Sequence, residues 1–382
     1  MKRFLFIGHD ARRTGAPMVL LHFLRWAKIN NPEWTIDLLL LQGGELENEY
    51  SKVANLFVIA KPESLSISTR GLAYVKRRLR FKEKERVPKL TPYLREYDCV
   101  IGNTVVTLEQ LEFFKRKGFA TICWMHELEY AVKSFFTVER FLEISAFADE
   151  FIIPSKAVER FLREAGVNKK MTLIYEFSPS PSSVAGTAVG TARDAFGIPA
   201  AAFVVIGSGT VEWRKGVDLF LLIAARITPN FDDIYFLWVG GKAGGQDAEY
   251  DRIQFDLCRL GLTGRVIFAG FLSEPHPLFH EADIFALTSR EDPFPLVCLE
   301  AASLAKPIIC FADAGGMPEF VEDDAGAVIL YGNIEAFADS VLDFYNDRPK
   351  LAAAGKAAKE KTISKFSPDK SCEELSNLLS NL

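Results

Sequence analysis

Two stretches of this sequence carry residue types at spacings that suit chemistry on a phosphorylated ligand. In Glu212-Trp213-Arg214-Lys215-Gly216 two adjacent cations precede an apolar, helix-like segment. An arginine grips a phosphate bidentately and a lysine acts as a point charge, so the pair suits a diphosphate. The plain alternative is two solvated surface cations. In Thr288-Ser289-Arg290-Glu291-Asp292-Pro293-Phe294-Pro295-Leu296-Val297-Cys298-Leu299-Glu300-Ala301 two carboxylates, Asp292 and Glu300, stand eight residues apart. The first falls in a proline-rich turn and the second inside the helix that follows. Such a pair can accept hydrogen bonds from two separate hydroxyl-bearing groups while loop N–H groups hold a phosphate between them. A capping aspartate and a surface glutamate would look similar, but the apolar residues around Glu300 argue against a solvated role. A third stretch, Gly8-His9-Asp10-Ala11-Arg12-Arg13-Thr14-Gly15-Ala16-Pro17, joins an apolar strand to a helix. There Gly15 and Ala16 would let backbone N–H groups approach an anion, or Gly15 simply makes the turn.

Loops of this kind need strands to carry them, and the apolar pattern supplies the strands. Residues 3–7, 35–41, 98–101, 120–124 and 150–153 read as strands, 17–28 as an amphipathic helix, and a further helix starts at Lys156 with Ser155 as N-cap and Gly166 as stop. After a break without charge at 178–192, rich in Ser, Pro, Ala and Gly, the pattern restarts. Strands are expected at 203–207, 234–240, 265–269, 284–288 and 307–311, and helices at 217–227, near 250–260, near 296–303 and at 368–382. Strands alternating with helices predict an α/β fold of two Rossmann-like, doubly wound parallel-sheet domains facing a cleft. The cleft would lie at the carboxyl ends of the strands, where the three stretches above sit.

A length of 382 residues favours two domains over one core. No apolar stretch approaches the roughly 18–20 residues needed to cross a bilayer, and the N-terminus runs straight into a strand, so a cytoplasmic protein is expected. The six cysteines form no CxxC pair and read as reduced and structural. Residues 1–178 hold 28 Lys and Arg against 22 Asp and Glu, whereas the remainder holds 17 against 28, so the halves carry +6 and −11. Opposite signs suggest different partners for each half.

The run from Ser289 to Ala301, together with Trp213-Arg214-Lys215-Gly216, Phe268-Ala269-Gly270-Phe271 and Glu281-Ala282-Asp283-Ile284-Phe285-Ala286-Leu287-Thr288-Ser289, resembles family-four retaining glycosyltransferases of the glycosyl transferases group 1 type. Their acid-x7-Glu signature is matched by Asp292 and Glu300, and their fold is GT-B. The resemblance covers most of residues 200–325, and the first half more loosely through Thr14-Gly15-Ala16-Pro17 and Met125-His126-Glu127.

It implies an acceptor-side domain at 1–178, a connection at 179–196, a nucleotide-sugar-binding domain at 197–365, and a helix at 366–382 returning toward the first domain. It further implies that Glu300 binds the donor ribose and that Asp292 contacts the transferred sugar. The main chain of Phe294, Pro295, Leu296 and Val297 would hold phosphate and sugar, and Arg214 and Lys215 would neutralise the diphosphate, at a cost in affinity but little in stability when removed. Gly15 and Ala16 would lie at the donor phosphate. His126 would approach the sugar near its reacting carbon, although a lone histidine can equally be structural. The sequence departs from the family at Asp292, where Glu is commoner, and at Gly209-Thr210, where an Arg often stands.

A nucleotide-diphosphate sugar would be the donor substrate, with no cofactor and no metal, since no DxD-type pair follows a strand in the cleft; Asp232-Asp233 precede one. Retention would proceed on the front face, the leaving phosphate helping to deprotonate the acceptor. A dinucleotide-dependent oxidoreductase is disfavoured, because Gly207-Ser208-Gly209 lacks the third glycine of GxGxxG. An inactive nucleotide-sugar-binding module of the same fold is the remaining alternative. Residues 75–90 carry eight Lys and Arg against two Glu with apolar residues interleaved. They form a solvated helix or loop, or they lie on an anionic membrane surface, each cation contributing about 1 kcal/mol. Membrane contact would suit a lipid-linked saccharide acceptor and cell-surface polysaccharide synthesis. No nucleic-acid partner is expected of an acidic chain with one basic segment.

Overall fold

The computed structural model describes residues 2–60, 87–179, 191–242, 247–272 and 274–382. They form two compact units, one of residues 1–153, 162–174 and 372–382, the other of residues 154–161 and 175–371. The charged part of the basic segment, residues 75–86, lies outside the described residues, as do residues 180–190 of the expected connection.

The first unit holds β1 (Arg3–Gly8), β2 (Thr35–Gln42), β3 (Asn55–Ala60), β4 (Cys99–Asn103), β5 (Thr121–Trp124), β6 (Glu150–Ile153) and β7 (Lys170–Leu173). They form a sheet in the order β3-β2-β1-β4-β5-β6-β7. The second unit holds β8 (Phe203–Ser208), β9 (Ile234–Val239), β10 (Val266–Gly270), β11 (Ile284–Leu287), β12 (Ile308–Phe311) and β13 (Gly326–Ile329), in the order β10-β9-β8-β11-β12-β13. The ladders are parallel throughout. This is the doubly wound α/β architecture that the alternating pattern predicts.

The local reason is visible in β8. Its residues Phe203 to Gly207 are buried, and alternate side chains enter opposite layers: Phe203 and Val205 pack with the helices Val217–Ile227 and Ile334–Asn346, Val204 and Ile206 with Leu296–Ser303. Strands buried on both faces read as unbroken apolar runs, and those were legible. The edge strands β3, β7 and β13 are not among the strands expected from the sequence; β7 and β13 are four-residue strands with partly exposed side chains. The helix after β6, Lys156–Glu164, begins with the Val158 amide donating to Ser155 Oγ at 3.3 Å and is followed by Gly166 at φ +93°. Five cysteines are buried and Cys258 is exposed. Among the described residues no helix is long and apolar enough to cross a membrane.

In each sheet the winding reverses next to the first strand, between β1 and β4 and between β8 and β11. A crevice for a ligand opens outside the carboxyl ends of the strands at such a point.

Candidate functional site

In the second unit the crevice is flanked by the loop after β8, which carries Arg214 and Lys215, and the loop after β11, which carries Asp292. Gly216 lets the two loops meet. It sits in the left-handed region at φ +64°, and a Cβ there would lie 2.0 Å from the carbonyl oxygen of Thr288. The Arg290 amide donates to the Arg214 carbonyl at 2.8 Å, and the Arg290 guanidinium grips Asp218 at 2.8 and 2.6 Å. So fastened, Lys215 Nζ reaches Asp292 Oδ2 at 2.5 Å, with Ser289 Oγ donating to the same oxygen at 3.3 Å. The lysine stem runs over Gly209, where a Cβ would stand 3.2 Å from it. A larger residue at 209 would compete for this space. Asp292 is 6% exposed, and its amide donates to Ala314 in the loop after β12 at 2.7 Å.

Arg214 donates to the Glu291 carbonyl at 3.0 Å and to Glu212 Oε1 at 2.9 Å. Burial works against its charge, but Asp292, Glu212 and Glu291 outweigh it and leave its pKa raised. Residues that the sequence offers as separate sugar and phosphate contacts, Asp292 and Lys215, are therefore one ion pair. An ammonium has three donors, so Lys215 can keep Asp292 and still meet a phosphate.

The helix Leu296–Ser303 begins beside this pair. Its leading N–H groups lack intrahelical partners. Pro295 has no N–H, which leaves Phe294, Leu296 and Val297 as the amide donors of this segment. The Phe294 ring is not available to a ligand: it is 1% exposed and stacks on Phe366 at 5.6 Å. On the same helix Glu300 accepts from Ser178 Oγ at 3.0 Å, and His276 Nε2 lies 3.7 Å from its other oxygen. Neither partner carries a local sequence signal, because both come from distant segments.

Pairing with Glu300, ahead of burial, which acts the other way, raises the His276 pKa from 6.5, and Glu274 at 3.6 Å adds to it. A raised pKa means that the pairing stabilises the fold fully below 6.5 and is lost as pH climbs through the raised value. Thermal melts from pH 5 to 9 should therefore show the wild type losing stability relative to His276→Gln as pH rises. Parallel curves would show that the pair contributes nothing.

In the first unit His126 follows β5, and its Nε2 lies 2.8 Å from Asn103 Oδ1 at the end of β4. Asn103 Nδ2 donates to the Ala16 carbonyl at 3.1 Å. Glu127 Oε2 accepts from the amides of His126 and Val105, both at 3.0 Å. The helix Gly15–Asn30 starts here without a side-chain cap from Thr14, and Gly15 is exposed, with no atom within 4 Å of a would-be Cβ. His9 also lies here, its pKa lowered by burial, with Nδ1 buried and without a hydrogen-bond partner among the described residues. The structure thus groups His126 with the Gly15-Ala16 turn through Asn103, a residue the sequence reading missed. Its one signal is a polar residue closing the buried strand Cys-Val-Ile-Gly-Asn beside the winding reversal.

Residues 190–361 match the family model of glycosyl transferases group 1. The lipopolysaccharide core biosynthesis mannosyltransferase LpsB of Rhizobium meliloti (strain 1021) is 26% identical over 194 residues, which cover 50% of this chain and 55% of that protein. The alpha-galactosylglucosyldiacylglycerol synthase of Streptococcus pneumoniae (strain ATCC BAA-255 / R6) is 33% identical over 139 residues, 36% of this chain and 33% of that protein. The chain thus spans about half or less of the length of these relatives. Anabaena Alr3699/HepE, solved in complex with UDP-glucose, superposes over 100% of both chains with a TM-score of 0.80 at 22% identity. The chain accordingly has the GT-B fold, and its residues 190–361 belong to the glycosyl transferases group 1 family.

Proposed function

We propose that this protein is a retaining glycosyltransferase, moving a sugar from a nucleoside diphosphate sugar to a saccharide or lipid-linked saccharide acceptor on the cytoplasmic side of a membrane. The observation that carries the reading is the cluster of Lys215, Arg214 and Asp292 at the carboxyl ends of β8 and β11, beside the amides that open the helix Leu296–Ser303. Departure of a nucleoside diphosphate builds negative charge on phosphate oxygens, and preorganised cations and N–H donors stabilise it most. The two cations supply that charge without a metal. Glu300, oriented by Ser178 and His276, is assigned the ribose hydroxyls, Asp292 the hydroxyls of the transferred sugar, and Gly15 and Ala16 the donor phosphate. His126 is assigned to the sugar near its reacting carbon. The acceptor O–H would attack on the face from which the diphosphate leaves, its proton passing to the departing phosphate oxygen, so that configuration is kept. Related proteins named for lipopolysaccharide core and glycolipid synthesis support an acceptor of the cell-surface glycoconjugate class.

Incubation with a panel of nucleotide sugars, UDP-sugars first, should release nucleoside diphosphate, faster with acceptor present. Binding of a nucleotide sugar with no release under any condition would make the protein a binding module. In the same assay Glu300→Gln should weaken both the sugar donor and the free nucleoside diphosphate. Lower turnover with intact nucleoside diphosphate affinity would move Glu300 to the sugar or acceptor.

A further inference from the structure

Asn103 ends β4, 1% exposed, in register with Gly8 of β1 on one side and Trp124 of β5 on the other. Its amide has one orientation that satisfies both neighbours. The Ala16 carbonyl can only accept a hydrogen bond, so the NH2 must face it, at 3.1 Å. The amide oxygen is thereby turned to His126 Nε2, at 2.8 Å. An amide oxygen also can only accept, so Nε2 carries the proton. In the neutral ring Nδ1 is then the acceptor nitrogen.

The backbone on either side is held as firmly. One oxygen of Glu127 takes the amides of His126 and Val105, at 3.0 Å each, and so ties the loop after β5 to the loop after β4. Between Asn103 and the anchored Val105 stands Thr104, at φ +100°, a conformation that costs about 1–3 kcal/mol for a residue with a side chain. Chain that persists in such a conformation is over-determined by its surroundings, which is what a site held to a fixed geometry requires.

We infer that Asn103 is a positioning residue: it fixes the His126 ring in the Nε2–H tautomer and joins it to the Gly15-Ala16 turn through the Ala16 carbonyl. The inference rests on the proposed role of His126 beside the transferred sugar.

The protein has five histidines. With 15N-histidine labelling, long-range 1H–15N spectra separate the tautomers, and the His126 signals are those that vanish in His126→Gln. The wild type should show Nε2–H at His126. Asn103→Ala, and Asn103→Leu, which keeps more of the buried volume and serves if the alanine variant does not fold, should show a mixture of tautomers. In transfer assays kcat should fall roughly 10- to 100-fold with little change in donor KM, as expected for lost orientation rather than lost binding. A wild-type His126 protonated at Nδ1, or an unchanged tautomer in the Asn103 variants, overturns the inference. So does a wild-type rate in a variant whose tautomer is mixed. Wild-type turnover in His126→Gln instead removes the functional reading of His126, and the inference with it. That failure is told apart because the tautomer of the ring still answers to Asn103.

Discussion

Lys215→Ala is expected to weaken donor nucleotide binding roughly 10- to 150-fold, the equivalent of one charge-assisted contact of about 1.5–3 kcal/mol. It should also destabilise the second unit, which two cations on a surface loop would not do. Lys215 and Asp292 have side chains only 15% and 8% exposed, and removing one partner of a buried pair leaves an uncompensated charge, at a cost of about 3–5 kcal/mol. Their residual exposure favours the lower end. Isothermal titration with nucleoside diphosphate measures the first effect and urea unfolding the second. A Lys215→Ala, Asp292→Asn double variant separates them, because neutralising both partners should recover much of the stability and none of the affinity. Undiminished nucleotide affinity in Lys215→Ala would reduce Lys215 to the structural partner of Asp292.

Gly315→Ala is expected to be the most damaging single methyl in the second unit. Gly315 lies at φ +142°, a region essentially confined to glycine, and a Cβ there would stand 1.7 Å from the carbonyl oxygen of Asp292. Relief requires the loop after β11 to move, and that loop holds the Asp292–Lys215 pair. A loss of at least about 3 kcal/mol should follow, with turnover falling beyond what the lost stability explains. Gly15→Ala is the contrasting variant, having an ordinary φ and no neighbour within 4 Å of the added methyl. Its stability should stay within about 0.5 kcal/mol of wild type, so any loss of donor binding reports on the ligand. Comparable urea midpoints for the two alanine variants would contradict the steric argument.

The sequence by itself determined the class of the fold and the stretches that matter. Strands such as β8 are buried on both faces, so burial wrote them as unbroken apolar runs that need no neighbour to be recognised. Arg214, Lys215, Asp292 and Glu300 stood out because cations and carboxylates beside strand ends are local patterns. What it could not determine were relations between residues far apart in the chain. That Lys215 spends a donor on Asp292, 77 positions away, follows from two loops meeting at Gly216. That Glu300 is held by Ser178, 122 positions away, follows from the path of the chain past the helix Leu296–Ser303. Asn103 is a polar residue with no pattern of its own, and only the pairing of β4 with β5 sets it 2.8 Å from His126. Burial and turn chemistry act on each residue where it stands and so leave a mark in the sequence, whereas a hydrogen bond between distant segments exists only once strand order has brought its two ends together.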